Sequence, residues 1–519
     1  MTSHPPHART PDATGGRILG HCGGDAPGRL ELDRRSLSPS DGSRPLRLTD
    51  LILPLGIGAV LRLALVVAFI GTLGRGDEAA YLRLGWGWSE FGAYTGMWAP
   101  LYPKLISYFS GLFGDGAADA LRIVQVFMAV WAGVWTALIA DMFGGRRAGL
   151  IAAWMFALYL PLAGFAALMY SESLFLCFFL PSVYQLLRYA REGRIAAPAW
   201  RGPLAGCLLG LAALTRESTL IFVFPCMVWV AFALRGHETE KRVGNARFKA
   251  WAHGKGPLAI APALLFGLTA LLTVMPWTIR NAWHFDRFVP IATSSQGSSV
   301  VGWNAYDINY DIADLGDNVL DAPGTLRDKI RGPEPAPWSP RAVSNVADAS
   351  ELNISDGLDF AKANPGFFLR SRIVEFVDMM SPLSFILRSL RITDGIGEPL
   401  NSALVKTLFA VLAVLMVPAV VLLGLWGWTH ARDAGPLRSL AATLTVCTVS
   451  VAAISGMTRY RVPVMPLFIV LGALYLAGQR EKPPRHRKIL LSTLTVLIIL
   501  SWIPSIGPIQ MALAVLWKS

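Results

Sequence analysis

Long apolar runs separated by short basic links set the pattern of this chain. Segments 51–73, 120–143, 150–165, 257–275, 403–428, 440–455, 462–477 and 489–506 are predominantly apolar. A further span opens at Glu172, and 202–234 is apolar enough to cross twice. About 20 apolar residues in a helix cross a bilayer core of about 30 Å. The pattern therefore predicts an all-α polytopic membrane protein with about 11 transmembrane helices. The stretch 74–118 differs, because Tyr81, Trp86 and Trp88 alternate there with Arg83 and Glu90. Half-polar, aromatic-rich helices of this kind lie in the membrane interface.

The links give the chain a direction. Arg146 and Arg147, the group Arg188, Arg191, Arg194 and Arg201, the stretch 235–255, and the links 430–438 and 479–488 are basic. The positive-inside rule makes these links cytoplasmic. The N-terminus is then inside, and the C-terminus outside. Because both flanks of 202–234 are basic, that segment reads as a hairpin of short helices with Arg216, beside Glu217, at its outer tip. Parity also places Arg459 and Arg461 outside, together with residues 280–400. That long segment holds 11 Lys and Arg against 16 Asp and Glu, a net of −5 in a chain that is +12 overall. Its opening, 288–293, is strand-like, while 359–380 has helical spacing with a stop at Pro382. A small α/β or irregular extracytoplasmic segment is expected. The resulting organisation is a disordered cytoplasmic tail over 1–50, an N-terminal transmembrane module over 51–278, the outer segment 279–400, and a C-terminal transmembrane module over 401–519.

Composition changes this picture little. The chain has 519 residues, 53% hydrophobic and 16% charged. Its positive charge sits in the links, so no nucleic-acid partner is expected. Four of the five cysteines, Cys177, Cys207, Cys226 and Cys447, lie in apolar segments, and Cys22 lies in the tail. Neither a disulfide framework nor a cysteine metal site follows.

The candidate chemistry gathers on the outer face. Asp77 and Glu78 stand where the chain leaves the first span, with Tyr81 four residues beyond Asp77, and Glu172 opens the fourth span. Arg216, Arg459 and Arg461 share that face against the usual charge bias. Each has a structural alternative: acidic residues also suit a first helical turn, Arg216 and Glu217 could pair to solvate a turn, and arginines snorkel to headgroups. Read as a site, carboxylates supply a general base, and guanidinium groups stabilise a departing phosphate. Glycosyl transfer from a polyprenyl phosphate needs both. A lipid or sugar transporter or flippase is the alternative, although transporters place their charges at helix breaks near the midplane. His284 is the one histidine on this face, and its aromatic neighbours favour packing over metal ligation.

Six motifs occur in order: the acidic pair 77–78 with Trp98-Ala99-Pro100-Leu101-Tyr102-Pro103, then Ser171-Glu172-Ser173-Leu174-Phe175, Leu211-Ala212-Ala213-Leu214-Thr215-Arg216, Pro276-Trp277-Thr278-Ile279-Arg280-Asn281 and Arg459-Tyr460-Arg461-Val462-Pro463. Over 51–472 this resembles bacterial GT-C glycosyltransferases of the family 39 type, relatives of protein O-mannosyltransferases and aminoarabinose transferases. The resemblance implies inverting transfer from a polyprenyl-phosphate sugar to an acceptor glycan, lipid or protein, on the outer face of a bacterial inner membrane. Asp77 resembles the family's catalytic acidic residue, which would act as the base, with Glu78 beside it. Glu78 and Glu172 resemble carboxylates that orient substrate or a divalent cation. Arg216, Arg459 and Arg461 match basic positions near the lipid phosphate. Tyr81, Tyr102 and Arg280 complete the expected substrate-binding set.

Overall fold

The computed structural model describes residues 45–72, 77–91, 98–196, 198–234, 258–286, 288–292, 362–363, 365–383, 390, 397, 400, 402–451, 458–507, 509–510 and 513–514. Residues 1–44 of the expected tail, the basic link 235–257 and residues 293–361 lie outside these residues; the end of the tail, expected to be disordered, instead forms a helical turn at Leu48–Leu51. The helices are α1 (Ile52–Phe69), α2 (Asp77–Phe91), α3 (Leu101–Phe113), α4 (Ala117–Leu158), α5 (Glu172–Ala196), α6 (Arg201–Thr215) and α7 (Val223–Ala233). They continue with α8 (Ile260–Phe285), α9 (Pro365–Met380), α10 (Ala403–His430), α11 (Gly435–Val451), α12 (Met465–Leu476) and α13 (Arg485–Trp502). Among the described residues, six helical stretches are long and apolar enough to cross a membrane, and α6, α12 and the Glu217–Ala233 stretch are shorter apolar helices. The fold is an all-α membrane bundle, as expected. No strand occurs among the described residues, and 288–292, expected as a strand, is irregular.

Glycines set two of the turns and crossings. Within α4, Gly145 has φ 68°, which folds the helix into two limbs. A Cβ on Gly133 would meet Phe156, and one on Gly149 would meet the Ala137 carbonyl, so the limbs run back along each other. These are the expected second and third spans. The second limb stops at Leu158, however, well short of the expected Phe165. On α6, a Cβ on Gly206 would stand 2.2 Å from the Phe266 carbonyl oxygen, and one on Gly210 would stand 2.7 Å from that of Ala270. Small residues four apart let the α6 and α8 backbones approach this closely, which is how helices associate where burial from water offers little. The eighth helix also departs from expectation, continuing through Pro276 to Phe285 rather than ending near 275.

Polar contacts mark the two ends of the bundle. At one end Arg146 pairs with Asp50 at 3.0 Å, and Glu481 takes Arg438 at 3.0 Å and Arg487 at 2.7 Å. Burial opposes ionisation of Glu481, but the hydrogen bond and charge of Arg487, with those of Arg438, outweigh it and hold the carboxyl below its ordinary range. The opposite end carries the start of α2, the start of α5 and the break between α6 and α7.

Candidate active site

The floor of the site is the non-helical backbone that follows Leu158. Such backbone is tolerated at membrane depth only where protein buries it and supplies its hydrogen bonds. Residues 159–176 are buried throughout, and two short helical turns, 160–163 and 164–166, interrupt the irregular backbone that leads to α5. Side chains supply the bonds. Gln125 Nε2 donates to the carbonyls of Ala166 at 3.2 Å and Leu168 at 2.9 Å, and Arg122 Nε donates to Ala167 at 2.9 Å. Ser173 Oγ donates to the Phe165 carbonyl at 3.2 Å. Arg62, in the apolar α1, donates to the carbonyls of Phe156 and Ala157 at 3.2 and 2.9 Å. These carbonyls belong to the last turn of α4, which has no helical partners for them.

Arg122 also reaches the other wall. Its Nη1 donates to the Phe69 carbonyl at 2.7 Å and its Nη2 to that of Thr72 at 2.8 Å. Asp119 accepts from Arg122 at 2.7 Å and from the Gly71 N–H. The end of α1 is thereby fixed to the floor a few residues before Asp77. Arg122, Gln125 and Arg62 were not among the expected site residues. A usable signal existed, since polar residues three apart inside an apolar span must find partners in the bundle.

The two residues of the acidic pair part company on α2. Glu78 is 2% exposed, and its Oε1 accepts the Met169 N–H at 2.6 Å. Asp77, the first residue of α2, has a side chain 31% exposed and meets Arg459 Nη2 at 2.8 Å. Tyr81, one turn further along, has its ring 4.1 Å from that of Trp98 and 5.0 Å from that of Tyr102, and its hydroxyl lies 3.3 Å from Ser171 Oγ. Burial raises the Tyr81 phenol above its ordinary value, so it remains a neutral hydroxyl.

A second ion pair lies behind the first. Glu172, 1% exposed, pairs with Arg216 of the α6–α7 break. The other Glu172 oxygen, Oε2, is buried with no hydrogen-bond partner among the described residues. The Tyr460 ring ties the two pairs together, 5.6 Å from the Arg216 guanidinium and 5.6 Å from that of Arg459. Arg459 also lies 5.5 Å from the Tyr170 ring. Burial works against charge on Arg459, yet Asp77 and its other neighbours outweigh it and raise the guanidinium above its ordinary value.

Asp77, Tyr81, Glu172, Arg216 and Arg459 thus form one group of linked contacts, with Glu78 holding the floor beneath it. Tyr102 is fully buried; its hydroxyl donates to Gln125 at 2.8 Å, so it supports Tyr81 from behind. Arg461 donates to the carbonyls of Met379, Ser381 and Leu383, which fastens the end of α9 to the 458–461 turn. Arg280 bonds Asn281 at 3.1 Å and lies 4.8 Å from the Trp277 ring. The ring of His284 packs against Phe285. A recess of about 20 Å³, room for about one water molecule, lies between Tyr159, Phe165, Thr458, Arg459 and Arg461. Among the described residues, no three His, Cys, Asp or Glu side chains gather as a cation site, and no step below uses one.

The fold and this rim define a class, that of an all-helical polytopic membrane protein whose carboxylates and guanidinium groups converge at one end of the bundle. Residues 98–277 match the family described as dolichyl-phosphate-mannose-protein mannosyltransferase. The matched span holds Tyr102, Glu172 and Arg216; Asp77, Arg459 and Arg461 lie outside it. The chain is therefore similar to GT-C glycosyltransferases, the resemblance already carried by its motifs.

Among solved structures, an oligosaccharyltransferase from Archaeoglobus fulgidus in the apo form aligns with 16% identity and a TM-score of 0.46. That alignment covers 90% of this chain but 56% of the archaeal one, so this chain spans little more than half its relative's length. The oligosaccharyltransferase AglB from the same organism, in complex with an inhibitory peptide and a dolichol-phosphate, aligns with 18% identity and the same coverage, at a TM-score of 0.46. ArnT from Cupriavidus metallidurans, bound to undecaprenyl phosphate, aligns with 13% identity over 83% of this chain and 77% of its own, at a TM-score of 0.34. No curated protein matches the chain.

Proposed function

We propose that the chain transfers a sugar from a polyprenyl-phosphate donor to an acceptor hydroxyl on the extracytoplasmic face of a bacterial inner membrane. The observation that carries this reading is the Asp77–Arg459 contact, a carboxylate about one-third exposed joined to a guanidinium at the rim of a membrane bundle. The family match over 98–277 supports a lipid-phosphate sugar as donor, because its description names one. In this reading Asp77 takes the proton of the acceptor hydroxyl as the oxygen attacks the anomeric carbon. The bond from that carbon to the phosphate oxygen breaks on the opposite side, and the configuration inverts. The departing phosphate keeps the electron pair, and Arg459 and Arg216 stabilise its charge, since a guanidinium presents several N–H donors in one plane. Glu172 holds Arg216 in place, and Arg461 supports the turn that carries Arg459.

Membrane vesicles containing the chain, supplied with a panel of radiolabelled polyprenyl-phosphate sugars, test the reading. The expected result is consumption of one of them, with release of free polyprenyl phosphate that depends on Asp77. Consumption of none of them, together with movement of intact lipid-linked sugar between leaflets, would establish the flippase instead.

A further inference from the structure

An apolar groove of about 570 Å³ runs along the first limb of α4, α5 and α6, from the middle of the bundle at Cys177 toward the end opposite the site at Gln185 and Leu204. Trp131, Trp135, Phe178, Leu204 and Leu208 form half of its wall. The groove is built into the fold. Pro181, which lines it, has no N–H for the carbonyl four residues earlier, and that carbonyl, of Cys177, accepts instead from Trp131 Nε1 at 3.3 Å. The indole is thereby fixed as a wall of the groove.

One end of the groove is polar and basic. Gln185, a lining residue, accepts from Arg201 Nη1 at 2.8 Å. Arg188 lies one helical turn beyond Gln185, and Arg201 one turn before Leu204. Both arginines pair with a single carboxylate, that of Glu192, so the cluster keeps a net positive charge, and Arg188 is 34% exposed. Arg188 Nε is buried with no hydrogen-bond partner among the described residues. Arg191, on the same stretch of α5, is offset by the nearby carboxylates of Asp141 and Asp433 and adds no net charge. Trp200, 52% exposed and packed on Arg201, marks the headgroup level, where tryptophan concentrates.

We infer that this groove binds one anionic phospholipid of the leaflet opposite the active site. One acyl chain lies along Trp131, Phe178 and Leu208, and the headgroup phosphate meets Arg188 and Arg201. Charge complementarity selects this occupant over a neutral lipid, because basic pockets between transmembrane helices hold anionic headgroups. The inference does not depend on the transfer reaction.

The full chain in nanodiscs, exposed to a phosphatidylglycerol analogue with a diazirine in its acyl chain, tests it. Adducts are expected within 127–135, 177–185 or 204–208. Unlabelled phosphatidylglycerol should suppress them about fivefold better than phosphatidylcholine, the ratio expected from one arginine–headgroup contact. Soluble glycerol phosphate should not compete, which separates a lipid site from a phosphate site. Arg188→Gln should weaken labelling by a similar factor, and Leu208→Trp should block it by filling the groove. Leu204→Trp, at a more exposed position, serves as a second filler should Leu208→Trp misfold. Equal competition by phosphatidylcholine, suppression by glycerol phosphate, adducts confined to other segments, or wild-type labelling in the variants would each overturn the inference.

Discussion

Asp77 and Arg459 stand 2.8 Å apart although one begins α2 and the other lies in the turn before α12. The contact orients the carboxylate while leaving part of it open to a substrate. Asn at position 77 keeps the shape and a hydrogen-bonding oxygen but cannot take a proton, and general-base catalysis contributes typically about 10²- to 10⁴-fold. Asp77→Asn is expected to lower turnover by about two orders of magnitude or more, with expression and donor binding near wild type. Steady-state transfer with the identified donor checks this, and near-full activity would remove Asp77 from the reaction.

The Glu172–Arg216 pair calls for a different measurement. Both side chains are buried, so removing one partner strands the other's charge at a cost of about 3–5 kcal/mol. Arg216→Gln should therefore lower the thermal midpoint in detergent more than the double replacement Glu172→Gln with Arg216→Gln. A double variant less stable than the single one would show that the pair is solvated.

Tyr102 tests the distinction between support and contact. Its hydroxyl bonds Gln125 and is shut away from solvent. Tyr102→Phe should cost about 1 kcal/mol of stability, the usual worth of one hydrogen bond, while the donor KM stays within about twofold, since on the differential-binding argument a residue that touches no substrate leaves KM unchanged. A tenfold rise in that KM would return Tyr102 to the substrate.

Gly427 tests the packing of the C-terminal helices. A Cβ there would stand 1.9 Å from the Leu471 carbonyl oxygen, whereas one on Gly56 meets nothing within 4 Å. Gly427→Ala should destabilise by about 1–3 kcal/mol through overpacking, and Gly56→Ala should not. Thermal unfolding of the two variants side by side decides it.

Much of this arrangement was legible in the residues. Apolar run length located the helices, and the parity of basic links put Asp77, Glu172, Arg216 and Arg459 at one end of the bundle, where they touch. Run length could not show that the helix from Leu150 stops at Leu158, because buried irregular backbone is as apolar as a helix; only Pro161 hinted at a break. Nor could charge type say what a guanidinium binds. Arg459 meets a carboxylate, whereas Arg461, two residues on, meets backbone carbonyls, and only the fold of 379–383 decides between those fates. Arg122 and Gln125 were visible as polar residues in an apolar span, but their partners come from a segment more than forty residues away.

The Tyr460 ring between Arg216 and Arg459 also bears on how the protein is made. A ribosome delivers Glu172 and Arg216 early and close together, so the buried pair can close while the remaining helices are still being synthesised. Asp77 waits for Arg459 until nearly all of the chain has emerged, and its partly solvated position makes that wait inexpensive. A nascent chain halted before the turn at 458–461 would then hold a formed floor without the Asp77–Arg459 contact on which the proposed reaction rests, and premature release would yield a fragment expected to be inert.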